Sequence, residues 1–296
     1  MTDGASAKVF VGMPVYNGER FIDEAIRSIR AQTLTDFVLL IADNASTDRT
    51  EAICRDHANA DPRIRYVRHA QNIGAPGNWN YVLDQAAGTY FKWATANDTI
   101  APEMLTLCAA ALDVQPGAVL AQGKTILVDE DSGAQQPYLK DLAISGATPS
   151  QRLLELVKAL ALNNGQSGLL RVDVLKKTRK ERSYPNGDVA LMAELALHGT
   201  FAVLPEPLLM RKMGATTFAR MLTGNAMNAF YGGSGKANVR FHAIKLHADI
   251  LRSAISVPPT LSEKAKCVFV ALRYARWHRS AIFGELRQWL RGAGRT

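Results

Sequence analysis

Short uninterrupted apolar runs alternate along most of this chain with segments whose apolar residues return every three or four positions, a pattern that predicts strands and helices in turn. The first run, residues 8–13, stops at Pro14, and residues 19–31 then carry Phe21, Ile22, Ala25, Ile26 and Ile29 on one helical face. Thr33 to Asp36 turns the chain into a second strand at 37–42, followed by a helix from Ser46, whose hydroxyl is a candidate cap, to about Ala58. Asp61-Pro62 breaks that helix before a third strand at 64–68. A turn-rich loop from Gln71 to Gly77 leads into a helix over 78–87 closed by Gly88, then a strand at 90–94 and a helix opening near Pro102. Further strands are expected at 118–122 and 125–128 on either side of Gly123, and at 167–172, 201–204 and 208–213, with helices at 151–162 and 189–197. Residues 129–150 are acidic, contain Gly and Pro and keep no period, which predicts an excursion or mobile loop.

Apolar runs each followed by a helix belong to strands covered on both faces, so the fold class is α/β: a mixed but mostly parallel sheet flanked by helices. At 296 residues and 47% hydrophobic, there is apolar material for one large domain with an appendage. The expected division is a catalytic domain over 1–218, with halves at about 1–128 and 150–218, and a mainly helical extension over 219–296. Cys54, Cys108 and Cys267 lie far apart with no C-x-x-C spacing and are expected as reduced, buried thiols rather than a zinc site. The first residues lack a basic segment leading into an apolar core, and no window reaches the ~18 uncharged apolar residues of a membrane span. A cytoplasmic protein, with peripheral attachment to the inner membrane face left open, is the corresponding expectation.

The formal charge of +8 changes the picture because of where it sits. Residues 236–296 hold 12 Lys and Arg against 3 Asp and Glu, so the whole basic excess lies in the extension. There Trp277, Phe283, Leu286, Trp289 and Leu290 interleave with Arg273, Arg276, Arg279, Arg287 and Arg291. Arginines and aromatics at helical spacing suit an interfacial helix on anionic lipid. They equally suit an amphipathic appendage packed on the domain or on a second subunit. A local excess with no recognition motif argues against nucleic acid as a partner.

Candidate chemistry begins where the first two strands end. Parallel strands converge on a crevice at their C-terminal ends, the usual ligand site of an open α/β sheet. There Tyr16 can offer a flat face to a base and Asp43 can accept from a ring N–H; the plainer alternative is that they end strands and cap helices. Pro14-Val15-Tyr16-Asn17 is not the Gly-rich, basic phosphate loop that a nucleotidyltransferase would place there.

Five segments in order make the chain resemble the family 2 glycosyltransferases. These are Met13-Pro14-Val15-Tyr16-Asn17-Gly18-Glu19; Asp43-Asn44-Ala45-Ser46-Thr47-Asp48; Asn72-x-Gly74; Tyr90 to Asp98 with Pro102 beyond; and Gly187-Asp188 opening an apolar helix that ends in His198-Gly199-Thr200-Phe201. The resemblance covers residues 8 to about 218. It implies a GT-A fold and inverting transfer of a sugar from a nucleotide diphosphate donor, UDP foremost, to a hydroxyl of a saccharide or a lipid-linked acceptor. It places Pro14, Val15, Tyr16, Asn17 and Glu19 at the nucleotide end and pairs Asp43 with the base, commonly uracil. Asn72, Gly74 and Asn78 would shape the adjacent wall, or merely a structural turn.

Thr95-Ala96-Asn97-Asp98 stands where relatives carry an acidic motif for Mg²⁺ or Mn²⁺. Asn97 offers only a neutral carbonyl beside the nucleotide, which leaves Asp98 as the metal carboxylate. Met213 stands where many relatives have a histidine, and methionine is a poor ligand for a hard cation. Arg211 and Lys212 could clamp the diphosphate directly. The alternatives are therefore a weakened metal site, a metal-independent enzyme, and an inactive nucleotide-binding subunit. Asp188 matches the family's catalytic base, with a helix N-cap as its structural alternative, while Glu194 reads as structural. Asn163 to Gly168 lies where relatives meet the acceptor.

Overall fold

The structure is a computed structural model that describes residues 7–214, 225–234 and 240–293. Its strands are β1 (Val9–Val15), β2 (Phe37–Asp43), β3 (Ile64–Arg68), β4 (Tyr90–Trp93), β5 (Thr99–Ile100), β6 (Ala118–Asp129), β7 (Gln135–Tyr138), β8 (Leu169–Arg171) and β9 (Thr200–Met213). The helices are α1 (Ile22–Arg30), α2 (Thr50–Ala60), α3 (Ala75–Asp84), α4 (Met104–Val114), α5 (Pro149–Ala159), α6 (Val172–Leu175), α7 (Gly187–His198), α8 (Asn225–Gly232), α9 (His242–Ser256), α10 (Leu261–Trp277) and α11 (Arg279–Ala293). The strands form one mixed sheet in the order β3-β2-β1-β4-β8-β6-β9-β5, with β7 added to β6. The block β3-β2-β1-β4 is wholly parallel, as runs without alternation require when both faces are covered.

Alternation along the buried strands decides which core each side chain joins. Val9, Val11, Met13 and Val15 of β1 face α1 and α4, while Phe10 joins the core built with α3, α7, α9 and α10. Gly12 sits on that second face, where an added Cβ would meet Val82 Cγ2 of α3 at 2.7 Å. The extension is continuous with the domain: Leu246, Ile250, Ala254, Cys267, Val270 and Ala271 share a core with α5 and α7. The boundary expected at 218/219 lies outside the described residues. All three cysteines are free and buried.

Several local expectations are corrected. Gly123 does not separate two strands; it sits at a bulge in the continuous β6, where β9 crosses so closely that a Cβ would lie 2.4 Å from Leu208 Cγ. Residues 201–213 are likewise one strand, β9, carried through Pro205 and Pro207. The excursion at 129–150 contains a β6–β7 hairpin, tied by Asp129 Oδ1 accepting from Ser132 N and Oγ at 2.8 and 2.7 Å. Beyond the hairpin, Leu142 and Ile144 are buried, so no mobile loop is found there. Ser46 does not cap α2, which starts at Thr50; Asp48 Oδ1 accepts from Thr50 N, while the Ser46 hydroxyl accepts from Asn17 N. The two-residue β5 is too short for any pattern to mark and exists through pairing with Leu209 and Met210.

Candidate active site

The two loops that leave β1 and β2 are stapled to each other. Asn17, in the left-handed region at φ 51°, donates its N–H to Ser46 Oγ and accepts from Thr47 N at 2.8 Å. Gly18 N donates to Thr50 Oγ1, Glu19 N to Asp48 Oδ2, and Arg49 N to Glu19 Oε2. Asn17 and Glu19, expected at the nucleotide, hold one loop against the other, and neither lines the two cavities described next.

That brace frames a cavity of about 600 Å³ lined by Pro14, Val15, Tyr16, Asn44, Asn72 and Asn78, with Trp79 and Phe230 among its apolar walls. Tyr16 is half exposed, so one ring face is free to stack. Asn72 Oδ1 accepts from Asn44 Nδ2 at 3.0 Å and Gly74 N at 2.8 Å, and its backbone carbonyl accepts from Ser234 N and Oγ. Asn78, buried, donates to the Ala42 carbonyl at 2.7 Å and meets His69 Nε2 at 3.0 Å. Gly74 holds φ at 79°, and a Cβ there would lie 2.7 Å from the Tyr231 carbonyl oxygen. Asp43 is not in this wall. Its carboxylate is fully buried, with Oδ1 taking Ser46 N at 2.8 Å and Oδ2 taking the Tyr66 hydroxyl at 2.7 Å, and Asn44 lines the cavity in its stead.

A second cavity, of about 450 Å³, shares Ala75, Trp79 and Phe230 with the first, so the two adjoin across these residues and are together called the cleft. Asp98, Asp188, Arg211 and Glu181 all border it. Asp98 Oδ2 accepts from Thr95 Oγ1 at 2.6 Å and Oδ1 from Lys212 N at 2.9 Å. Burial raises the Asp98 pKa, opposed by these two hydrogen bonds and by the charges of Arg211 and Lys92. Arg211 Nη1 donates to Asn164 Oδ1 at 2.6 Å, which leaves its other donors toward the cavity it lines.

Lys212, expected at the diphosphate, does not reach the cleft. Its ammonium pairs with Glu24 and sits 4.5 Å over the Phe21 ring, and only its backbone N–H serves the site. Asn97 is partly buried and lines neither cavity. Met213 ends β9, and residues 215–217 of the loop it opens lie outside the described residues. Lys92, which no sequence pattern singled out, is buried on β4 with Nζ donating to the Ser167 carbonyl. Burial lowers its pKa to about 8 against the pull of Cys108 and Asp98.

Asp188 stands in the first turn of α7 but does not cap it; the N-cap is Asn186, left-handed at φ 64°. Its Oδ2 accepts from Asn163 Nδ2 at 2.9 Å. Beside it Glu181 Oε2 accepts from Gln166 Nε2 at 3.0 Å, and burial together with the Asp188 charge holds the Glu181 pKa well above 4.5. Asn163, Gln166 and Ser167 line the cavity, where the segment 163–168 was expected. Glu194 is buried and pairs with Arg179 at 3.5 Å, as a structural residue should.

The donor set for a divalent ion is one carboxylate, Asp98; no group of three or more His, Cys, Asp or Glu that could hold a metal occurs among the described residues. One carboxylate fits an ion that draws its remaining ligands from water and phosphate oxygens, as Mg²⁺ does.

Residues 10–177 match the family model described as Glycosyl transferase family 2. The chain is 34% identical over 96 residues to the uncharacterized glycosyltransferase EpsJ of Bacillus subtilis, a match covering 32% of this chain and 28% of EpsJ. It is 30% identical over 100 residues to the chondroitin synthase of Escherichia coli, covering 34% of this chain and 14% of that protein. The matches thus span under a third of the length of these relatives. Among solved structures, TarS 1–349 of S. aureus in complex with UDP-GlcNAc superposes with a TM-score of 0.66 at 20% identity, covering 90% of this chain and 72% of that one. The mannosyltransferase PcManGT from Pyrobaculum calidifontis, in complex with GDP-Man and Mn²⁺, gives 0.52 at 15% identity, covering 97% and 80%. At such identities the likeness speaks for the fold, and the fold is GT-A.

Proposed function

This chain belongs to glycosyl transferase family 2, and from that premise we propose that it transfers a sugar, with inversion, from a nucleotide diphosphate donor to a hydroxyl of a saccharide or lipid-linked acceptor. A role in polysaccharide or cell-envelope synthesis follows from that acceptor class. UDP is the favoured nucleotide because the structural neighbour TarS is seen with UDP-GlcNAc and UDP. The observation that carries the reading is that the cavity beside Tyr16 adjoins the one bordered by Asp98, Arg211 and Asp188, the two sharing Ala75, Trp79 and Phe230.

The base stacks on Tyr16, with Asn44, Asn72 and Asn78 supplying polar contacts; a base reaching Asp43 joins the donors already on that carboxylate. Arg211 neutralises charge on the departing diphosphate. Asp98 would hold Mg²⁺ or Mn²⁺, which when bound shields phosphate charge. The acceptor oxygen bonds to the anomeric carbon from the face opposite the diphosphate. The carbon–oxygen bond to the diphosphate breaks with its electron pair leaving on that group, and the hydroxyl proton passes to Asp188. Asn163 orients the Asp188 carboxylate for this task.

Asp188→Asn is expected to retain nucleotide affinity and to lose transfer by roughly a thousandfold or more, within the range of general-base catalysis. Release of UDP from UDP-sugars with candidate acceptors reads the loss, and unchanged transfer would remove Asp188 as the base. Calorimetric titration of UDP and GDP, each with Mn²⁺ and with EDTA, tests the donor end. Binding strengthened by Mn²⁺ supports Asp98 as the metal carboxylate. Metal-independent binding assigns the diphosphate to Arg211, and no binding of either nucleotide favours an inactive scaffold subunit.

A further inference from the structure

The last two helices turn an apolar stripe to solvent. On α10, Leu261, Ala265, Phe269 and Leu272 recur at helical spacing and are all exposed, Leu261 by 84% and Phe269 by 66%. Phe283, Leu286 and Leu290 repeat the pattern on α11, and Trp277 stands near the corner between the helices. No helix among the described residues is long and apolar enough to cross a membrane.

The charges around this stripe are sorted by sign. The three acidic residues of the extension all face inward. Asp249 holds Arg179 and Tyr184, Glu263 accepts from Ser150 N, and Glu285 accepts from Ala243 N and pairs with His242. Arg276, Arg279 and Arg287 are exposed and pair with no acid among the described residues, and Arg273 lies 5.1 Å over the Trp277 ring. Exposed apolar positions interleaved with unpaired arginines on both helices, with Trp277 near their corner, match a surface that is apolar just beneath an anionic layer. A second copy of the same face would set arginine against arginine.

We propose that the outer face of α10 and α11 docks on an anionic lipid bilayer, with the stripe in the acyl boundary and the arginines at the headgroups. The position of this face gives the docking a use. A cavity of about 300 Å³, bordered by Leu160, Val189 and Leu246 and by Tyr274, His278 and Ala281 at the α10–α11 corner, shares Ala161, Asn186 and Val189 with the cavity that contains Asp188. An acceptor carried by the bilayer would thus meet the cleft on its acceptor side; that consequence rests on the proposed function, whereas the docking does not.

The test is flotation of the full chain with phosphatidylglycerol-rich vesicles and with pure phosphatidylcholine vesicles, alongside UDP titration. Binding to the anionic vesicles, weakened by salt, is expected, with little binding to phosphatidylcholine. Combined Arg276→Gln, Arg279→Gln and Arg287→Gln should lower partitioning by roughly a hundredfold, from about a fivefold effect per basic residue at an anionic surface. Leu272→Ser with Phe283→Ser should lower it as well, and both variants should keep the wild-type UDP affinity and melting temperature because the altered side chains are exposed. Wild-type protein that stays in solution with every vesicle, or variants that float like wild type, would overturn the proposal. So would a concentration-dependent dimer, seen by sedimentation, that Leu272→Ser with Phe283→Ser abolishes while vesicle binding is absent. Flotation of wild-type protein that binds no UDP would strike the functional reading and leave the docking standing.

Discussion

Asp188 and Glu181 face one cavity, and each carboxyl is held by an amide from the same short turn, Asn163 for the first and Gln166 for the second. Their settings differ in consequence. Burial and the neighbouring Asp188 charge keep Glu181 protonated well above 4.5, so the folded state binds a proton there that the unfolded chain has released. Stability from this group is therefore fully present below the unfolded pKa and is lost as pH rises toward the folded one. Glu181→Gln, which cannot ionise, is expected to melt with wild type near pH 4.5 and progressively above it at higher pH, as melting curves across that range would record. Asp188 was singled out in the sequence because it falls at the position matching the catalytic carboxylate that the family resemblance implies; the local pattern alone reads as a helix cap. Glu181 lies in the polar segment Lys176 to Arg182, where nothing local separates a cleft carboxyl from a solvated one. Lys212 errs in the other direction: its neighbour Arg211 borders the cleft, but alternation along β9 turns the lysine away to Glu24 and Phe21.

Among the elements, α3 shows how a single backbone conformation positions a wall. Gly74 precedes the helix at φ 79°, where its missing side chain lets the carbonyl of Tyr231 on α8 approach. Gly74→Ala is expected to cost about 1–3 kcal/mol of stability. Because α8 and the start of α3 both line the Tyr16 cavity, it should also weaken UDP binding by roughly tenfold, about 1.4 kcal/mol. Urea unfolding and calorimetry measure the two effects, and wild-type values in both would show that α8 is not held by this contact. The order of elements could be read from the chain, since period two and period 3.6 are local properties. Their ends could not, because a cap or a bulge depends on what lies across from it. Ser46 is diverted by Asn17, Gly123 is crossed by Leu208, and β5 exists through β9.

At the scale of the whole molecule, the extension is tied to the domain by a partly buried ionic cluster. Asp249 of α9 accepts from Arg179 Nη1 at 3.1 Å and from the Tyr184 hydroxyl at 2.5 Å, and forms an ion pair with Arg182 at 3.5 Å. Asp249→Ala removes this partner from Arg182 and Tyr184, while Arg179 keeps Glu194, and is expected to cost about 1.5–3 kcal/mol, the range for hydrogen bonds to a charged group. Thermal unfolding would measure it, and a change near zero would mean that apolar packing of α9 and α10 holds the extension without the cluster. By itself the sequence determined the α/β class, the parallel nucleotide half and the concentration of charge in the extension, and through the family resemblance it pointed to Asp98, Asp188 and Arg211, which border the cleft. The class, the parallel half and the charge distribution are properties of composition, period and spacing, which survive without knowledge of any long-range contact. Only the tertiary structure decided that Asn17 and Glu19 bind a neighbouring loop, that Asp43 sits behind the cavity wall, that two cavities adjoin, and that the acids of the extension turn inward while Arg276, Arg279 and Arg287 turn out. Each of those depends on which of several chemically able partners lies within a few ångströms, and partners far apart in the chain meet only once the sheet has brought them together.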